Sequence, residues 1–324
     1  MSENKAHNKP IFIVGSGRSG TSVLTWCLGQ HPNILPLPET NWIARLTIHM
    51  RQLYQFGTVH GLYSHLGGLD WDEEDFYAEF GRAVDRFIVD TREPRMRFIR
   101  KLSAKKRGLT DEQIDELERK GELSPVPSLV SAKNYQLARS PDDPKGRWVD
   151  GGPENTFYMY SLARLFPGAK FIHILREPND VAKSFMRFSQ VAGGGGEDHG
   201  EKEAYAQWRR FVEYAVKGEK ALGSERVLRV SFEDMINDSE ATLRTCLKFL
   251  GEEFTSDVML PLQEKINSSR VDYPVLGDMP TTKEGKEANE FYREIVNMKI
   301  GTPDLNMQEE LALHFRTYAD EINK

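Results

Sequence analysis

The stretch IFIVGSGRSGTS, residues 11–22, places an apolar, β-branched run directly before a glycine-rich turn. The apolar pattern resumes as VLTWCL at residues 23–28. This succession predicts a buried strand over Ile11–Val14, a tight loop, and a helix over Thr21–Gln30. A loop of this kind directs several backbone N–H groups and the positive end of a helix dipole at one point. The sequence therefore predicts an anion-binding site here.

The loop nearly matches the nucleotide-binding pattern G-x-x-x-x-G-K-[ST], with Gly15 and Gly20 at the two glycine positions. The lysine position, however, holds Thr21, and the cation lies inside the loop as Arg18. Kinases and ATPases use that lysine on the β- and γ-phosphates of their nucleotide. The pattern thus favours an anion other than ATP.

Composition narrows the class of protein. The chain has 324 residues and a formal charge of −6, which argues against a general nucleic-acid or membrane-surface binder. Two cysteines in apolar helical patterns, Cys27 and Cys246, are predicted to be buried free thiols, and no metal-ligand spacing is present. The polar N-terminus lacks a signal-peptide core, and no apolar run is long enough for a membrane span. We therefore expect a cytoplasmic protein.

Further apolar runs predict an α/β fold with a central parallel sheet flanked by helices. Ser231–Asp234 is predicted as the loop that follows the last strand. The predicted strands are Phe171–Leu175 and Val227–Val230, with shorter candidates at Ile34–Leu37 and Trp148–Val149. The predicted helices are Thr156–Phe166, Asn179–Arg187, Glu201–Leu222 and Ala241–Leu250.

Residues 41–147 differ in composition, being rich in charge and in helix formers. We interpret them as a mostly helical insertion over the carboxyl edge of the sheet, where open α/β folds bind ligands. The alternative is a helical cover that plays no part in substrate choice. Residues 281–324 are predicted to form C-terminal helices, and residues 1–324 a single domain.

A second anion site is predicted after the strand Phe171–Leu175. Arg176 follows this strand directly, and Ser184 lies eight residues further on, about two turns into the next helix. A guanidinium group and a hydroxyl group so placed could hold one phosphate together. Taken alone, an arginine at a strand end can equally be a structural ion pair.

Together the two elements resemble those of the sulfotransferases that use 3′-phosphoadenosine 5′-phosphosulfate (PAPS), whose fold is P-loop-like with three layers. The segment Arg18–Ser22 matches the family's [KR]-S-G-T-[ST] core, which cradles the 5′-phosphosulfate. Arg176 and Ser184 match the pair that binds the 3′-phosphate. The arginine at position 18 is similar to the bacterial and Golgi-type branches. The resemblance implies donor binding by Ser16, Gly17, Arg18, Ser19, Gly20, Thr21, Ser22, Arg176 and Ser184.

Glu39, in the segment PETN at residues 38–41, is the expected general base. It follows the short strand Ile34–Leu37, and it resembles the glutamate proposed as the base in relatives of the Golgi enzymes. Alternatively, Glu39 caps the next helix. We regard His31 and His173 as structural rather than catalytic, and Glu154 as a helix-start residue.

The chain departs from the family at Gly151 and Gly152. Many relatives carry a lysine here, in a K-T-P or K-S-P stretch, that approaches the transferred group. Another cation, such as Lys133 or an arginine of the insertion, could take that place.

The resemblance implies an enzyme that transfers a sulfuryl group from PAPS to an acceptor hydroxyl or amine, without a metal. Arg18 is expected to stabilise the leaving phosphate while Glu39 takes the acceptor's proton. The partner is then a small-molecule acceptor and not a nucleic acid. Two alternatives remain: a nucleotide kinase or ATPase with a degenerate loop, and a non-catalytic protein that binds bisphosphoadenosine.

Overall fold

Five parallel strands form one sheet in the order β2-β3-β1-β4-β5. The structure is a computed structural model that describes residues 9–91, 98, 101–102, 104–105, 108–120, 122, 144–191, 200–263 and 279–322. The sheet confirms the predicted α/β class. The strands are β1 (Ile11–Val14), β2 (Ile34–Leu37), β3 (Arg147–Asp150), β4 (Lys170–Leu175) and β5 (Val227–Ser231).

Helices cover both faces of the sheet. Their bounds are α1 (Thr21–Gly29), α2 (Trp42–Thr58), α3 (His65–Gly68), α4 (Glu73–Asp90), α5 (Asp111–Arg119), α6 (Met159–Leu165), α7 (Pro178–Val191), α8 (Glu201–Leu222), α9 (Phe232–Asn237), α10 (Ser239–Leu250), α11 (Lys283–Ile295) and α12 (Leu305–Ile322). Short 3₁₀ segments lie at Gly61–Tyr63, Pro153–Tyr158 and Ser256–Gln263.

Strand β1 shows how the layers arise. Its side chains alternate, so that Ile11 and Ile13 join the core beneath α1 and α10, whereas Phe12 and Val14 join the core beneath α4 and α6. All four residues are fully buried. A strand that is apolar on both faces is typical of a parallel sheet covered by helices on both sides, as the sequence predicted.

Two local predictions were wrong. Ser231–Asp234 is not a loop, because α9 begins at Phe232 and the Ser231 hydroxyl accepts a hydrogen bond from the Asp234 amide at 3.2 Å. The predicted helix over Thr156–Phe166 is split, and its first turns are the 3₁₀ segment that begins at Pro153. Both differences have local causes: Pro153 lies in the first turn of the 3₁₀ segment, and Ser231 is the N-cap of α9.

The order of the strands creates a switch point at β1. In the strand order, β2 and β3 lie on one side of β1, whereas β4 and β5 lie on the other. In open α/β sheets, ligands bind outside the carboxyl ends of the strands at such a point. The loop after β1 lies there.

Lys145 stabilises the connection between α1 and β2, at the amino ends of the strands. It is fully buried, and its Nζ donates hydrogen bonds to the carbonyl oxygens of Gly29, His31 and Ile34 at 3.1, 2.8 and 3.1 Å. Lysine side chains commonly satisfy the last carbonyls of a helix in this way. The end of α1 and the start of β2 are thereby tied together.

Both cysteines are buried free thiols, as predicted. Within the described ranges, no helix is long and apolar enough to cross a membrane. No group of three or more histidine, cysteine, aspartate or glutamate side chains in the same ranges could hold a metal ion.

Candidate active site

The loop after β1 depends on two glycines with left-handed backbone conformations. Gly15 has a φ of 138°, and a Cβ atom there would lie 2.6 Å from the carbonyl oxygen of Ile174. Gly20 has a φ of 102°, and a Cβ atom there would lie 2.5 Å from the ring of Phe232. Since L-residues rarely adopt such φ values, both positions require glycine for conformation and for space.

The loop is also held by side chains at its first turn. The Ser19 hydroxyl donates to the carbonyl oxygen of Ser16 at 2.6 Å, and the Gly15 amide donates to Thr156 Oγ1 at 2.9 Å. Helix α1 then begins at Thr21 with no acidic residue in its first turn. The free N–H groups of this turn and the helix dipole favour an anion next to the loop.

The two predicted anion elements touch each other. Arg18 Nε donates to Ser184 Oγ at 3.2 Å, across 166 residues of sequence. Arg176 Nη1 donates to the backbone carbonyl oxygen of Arg18 at 3.1 Å. The loop after β1 and the segment after β4 therefore bring two guanidinium groups and a hydroxyl group to one place.

Arg176 is oriented by residues that sequence reasoning did not assign to the site. Its guanidinium carbon lies 4.2 Å from the centre of the Phe232 ring, a cation–π contact. Its backbone carbonyl oxygen accepts a hydrogen bond from Trp208 Nε1 at 3.1 Å, and its Nη2 lies 3.4 Å from Asp180 Oδ2. Arg176 Nε is buried without a hydrogen-bond partner in the described part of the chain. Trp208 is a fully buried core residue.

The opposite side of the loop carries carboxylates. Glu39 follows β2 and is exposed, Asp150 ends β3 and is fully buried, and Glu154 lies exposed in the adjoining 3₁₀ segment. Along the carboxyl edge the order is thus Glu39, Asp150, the loop after β1, and Arg176. Glu39, Asp150 and Glu154 thus lie on the side of the loop away from Arg176.

The surroundings change the proton affinity of two of these carboxyls. Partial burial, followed by the carboxylates of Asp150 and Glu154, raises the pKa of Glu39 above its usual range. Burial also raises the pKa of Asp150, although hydrogen bonds from the Thr40 hydroxyl and the Gly152 amide act in the opposite direction. A carboxylate with a raised pKa is a stronger base, which suits Glu39 to accept a proton.

The histidines considered as bases have structural partners. His31 Nε2 donates to the carbonyl oxygen of Glu253 at 3.0 Å, while its Nδ1 accepts from the Asn33 amide. His173 is fully buried in β4, and its Nδ1 lies 2.7 Å from the buried Glu219 carboxylate. Glu219 in turn is paired with Arg229.

The missing lysine has a steric explanation. A Cβ atom at Gly151 would lie 2.0 Å from Thr25 Oγ1 and 3.2 Å from the carbonyl oxygen of Thr21. With Thr25 in helix α1, a side chain at Gly151 would require α1 or the segment after β3 to shift. Lys133, a candidate replacement, lies outside the described residues.

Comparison with known proteins identifies the family to which the chain belongs. A model described as "Sulfotransferase family" matches residues 10–256. The protein-tyrosine sulfotransferase 2 of Gallus gallus is 23% identical over 256 residues, which are 79% of this chain and 54% of that protein. The protein-tyrosine sulfotransferase 1 of Danio rerio is 21% identical over 307 residues, which are 94% of this chain and 69% of that protein. The chain thus spans about half the length of the first of these relatives.

Two solved structures show a similar arrangement at low identity. The sulfotransferase domain of the Synechococcus PCC 7002 olefin synthase is 20% identical, with a TM-score of 0.45, 89% of this chain covered and 96% of that one. Sulfotransferase STF9 from Mycobacterium avium is 14% identical, with a TM-score of 0.45 and coverages of 90% and 78%. Since the family model spans well over half of the sequence, including the loop after β1 and the arginine after β4, the chain belongs to the sulfotransferase family.

Proposed function

We propose that the protein transfers a sulfuryl group from PAPS to the hydroxyl group of a small-molecule acceptor. The observation that carries this proposal is the contact between Arg18 and Ser184, with Arg176 hydrogen-bonded to the same loop. Two guanidinium groups beside a helix N-terminus suit a ligand with two separate anionic groups. PAPS is such a ligand, with a 3′-phosphate and a 5′-phosphosulfate.

The order of groups along the sheet edge indicates how PAPS would be oriented across the strands. Arg176 and Ser184 would hold the 3′-phosphate beyond β4, while the loop amides, Thr21 and Ser22 would hold the phosphosulfate beyond β1. The acceptor would then approach from the side of β3 and β2, where Glu39 lies. This geometry suits an in-line displacement, with the nucleophile and the leaving group on opposite sides of the sulfur.

In the proposed reaction Glu39 removes the proton of the acceptor hydroxyl as its oxygen bonds to sulfur. The bond between sulfur and the 5′-phosphate oxygen breaks, and Arg18 with the loop amides stabilises the charge that develops on that oxygen. The products are a sulfate ester and 3′,5′-bisphosphoadenosine, with the proton on Glu39. In this proposal each of these roles falls to a residue of the site, and no step requires a metal.

The proposal is tested first by ligand preference and label transfer. We expect 3′,5′-bisphosphoadenosine to raise the thermal unfolding temperature and Mg-ATP to leave it unchanged. We also expect ³⁵S to pass from labelled PAPS to an acceptor. Stabilisation by Mg-ATP alone would support the kinase or ATPase alternative. Stabilisation by bisphosphoadenosine without transfer to any acceptor would support the non-catalytic alternative.

Arg176→Ala is expected to weaken binding of 3′,5′-bisphosphoadenosine by about 10- to 100-fold, since a charge-assisted hydrogen bond contributes about 1.5–3 kcal/mol. Calorimetric titration measures this affinity. Arg82→Ala is the matched control, because Arg82 is an exposed arginine on α4 that pairs with Glu79. Equal affinities in the two variants would remove Arg176 from the donor site.

A further inference from the structure

A cavity of about 230 Å³ lies between the 3₁₀ segment Pro153–Tyr158, α6, α8 and α12. Residues three or four apart lie on one face of a helix, so α8 and α12 each contribute one face to it. An engineered cavity of about 150 Å³ holds benzene, so this one has room for a ring with a short substituent. The residues that the two helices contribute are Arg210, Tyr214 and Gly218 from α8, and Leu311, His314, Phe315 and Tyr318 from α12.

More than half of the residues that line the cavity are aromatic. Phe157 and Tyr214 meet edge to face with ring centres 5.0 Å apart, and the ring centres of Tyr160 and Phe315 are 6.4 Å apart. The guanidinium carbon of Arg210 lies 5.0 Å from the centre of the Phe157 ring. Aromatic side chains are common walls of small-molecule sites, and they pack well against flat rings. The cavity therefore suits an aromatic ring.

Arg210 gives the cavity a positive charge. No hydrogen bond or ion pair joins its side chain to another residue of the described ranges, and no aspartate, glutamate or lysine is among the described residues of the lining. The nearby acids on the two helices are paired elsewhere, Glu213 with Arg209 and Glu310 with Lys217, each at 2.7 Å. A guanidinium group binds a carboxylate through two parallel hydrogen bonds. The charge of the cavity thus indicates an anionic ligand.

The cavity shares a wall with the loop after β1. Thr156 lines the cavity, and its Oγ1 accepts a hydrogen bond from the Gly15 amide at 2.9 Å and donates one to the Gly15 carbonyl oxygen at 3.2 Å. Glu154 belongs to the same 3₁₀ segment as Thr156. A ligand in the cavity therefore lies beside the proposed donor site.

We infer that the cavity binds an aromatic carboxylate, with its ring among the aromatic side chains and its carboxylate on the Arg210 guanidinium group. The rings alone would accept any flat apolar molecule, whereas Arg210 favours one with a negative charge. The position beside the loop makes the sulfuryl acceptor the source that we expect for this ligand. That last step rests on the proposed function, and the binding itself does not.

Binding is tested without nucleotide, by calorimetric titration of phenylacetate, 3-phenylpropionate and the two amides of the same shape. We expect at least one acid to bind about tenfold or more tightly than its amide. Arg210→Gln should remove this difference without changing the affinity for the amide, and Arg210→Lys should keep part of it. No binding of either acid, equal affinities for acid and amide, or an unchanged difference in Arg210→Gln overturns the inference.

Two further variants test the two parts of the cavity. Arg244→Gln is the matched control, because Arg244 is an exposed arginine on α10 that also lies over an aromatic ring, 3.7 Å from the centre of Phe254. It should keep the affinities of the wild type. Tyr214→Ala removes one aromatic wall and should weaken binding of acid and amide alike. A loss confined to the acid would contradict the position given to the ring.

Transfer of ³⁵S from labelled PAPS tests whether the ligand is the acceptor. We expect at least one of 2-, 3- and 4-hydroxyphenylacetate to exceed its amide in kcat/KM by about tenfold or more, and Arg210→Gln to lose this difference. The ring hydroxyl oxygen bonds to sulfur, the bond from sulfur to the 5′-phosphate oxygen breaks, and the hydroxyl proton passes to Glu39. Binding of the acids without transfer to any hydroxylated acid would place the cavity outside the acceptor site. Failure to bind 3′,5′-bisphosphoadenosine would contradict the proposed function itself.

Discussion

Glu39→Gln is expected to lower kcat for sulfuryl transfer by about 10²- to 10⁴-fold, the usual contribution of general base catalysis. Glutamine preserves the shape and polarity of the side chain but cannot take the proton of the acceptor hydroxyl. Glu39 lies at the end of β2, two strands away from β1 along the carboxyl edge. It is thus on the side of the loop away from Arg176, where an acceptor would approach.

The pH dependence of the wild-type enzyme gives the same residue a second test. Partial desolvation of its carboxyl group and the nearby carboxylates of Asp150 and Glu154 raise the pKa of Glu39. The active form is the deprotonated one, so kcat/KM should fall as the pH decreases through this raised pKa. The fall should begin above the range in which an ordinary glutamate titrates, near pH 4.3. Glu39→Gln should lose this dependence along with its activity.

Controls separate a loss of chemistry from a loss of structure. Glu39→Gln should retain the affinity of the wild type for 3′,5′-bisphosphoadenosine, because Glu39 follows β2, two strands away from the loop after β1. Glu79→Gln, at an exposed glutamate on α4, should leave both kcat and nucleotide affinity unchanged. Turnover of Glu39→Gln close to that of the wild type would assign the base to another group, with Glu154 the next carboxylate at this edge.

Much of the fold could be predicted because burial leaves a local pattern. Both β1 and β2 occur at the predicted bounds, since short apolar runs followed by turn residues are typical of buried strands. The order of the strands could not be predicted, because β3 pairs with β1 across more than a hundred residues. The helix at Phe232 was missed because a six-residue helix with one buried residue has little periodicity.

The candidate site also has residues that the sequence predicts and contacts that only the structure shows. Arg18, Arg176 and Ser184 could be found because each belongs to a short motif with fixed spacing. Their mutual contacts could not be predicted, since these depend on β1 and β4 being neighbours. Phe232, beneath the Arg176 guanidinium group, had only its place in the stretch after β5 as a signal.

Arg18→Ala is expected to lower kcat by about 10²- to 10³-fold, the scale found when one donor that stabilises developing negative charge is removed. Arg18 has a φ of 69°, so this non-glycine residue holds a left-handed conformation within the loop. Its side chain donates a hydrogen bond to Ser184 of α7. Steady-state kinetics and calorimetric titration of 3′,5′-bisphosphoadenosine together measure the effect.

Two roles for Arg18 predict different results. If the guanidinium group acts on the leaving phosphate oxygen, kcat falls much more than nucleotide affinity, because the charge on that oxygen grows only in the transition state. If it acts on the 3′-phosphate with Ser184, nucleotide affinity falls as in Arg176→Ala and kcat is preserved. Arg18→Lys keeps the charge and should recover part of kcat, whereas Ser184→Ala should weaken nucleotide binding alone. We expect the first pattern, and an unchanged kcat in Arg18→Ala would exclude Arg18 from the chemical step.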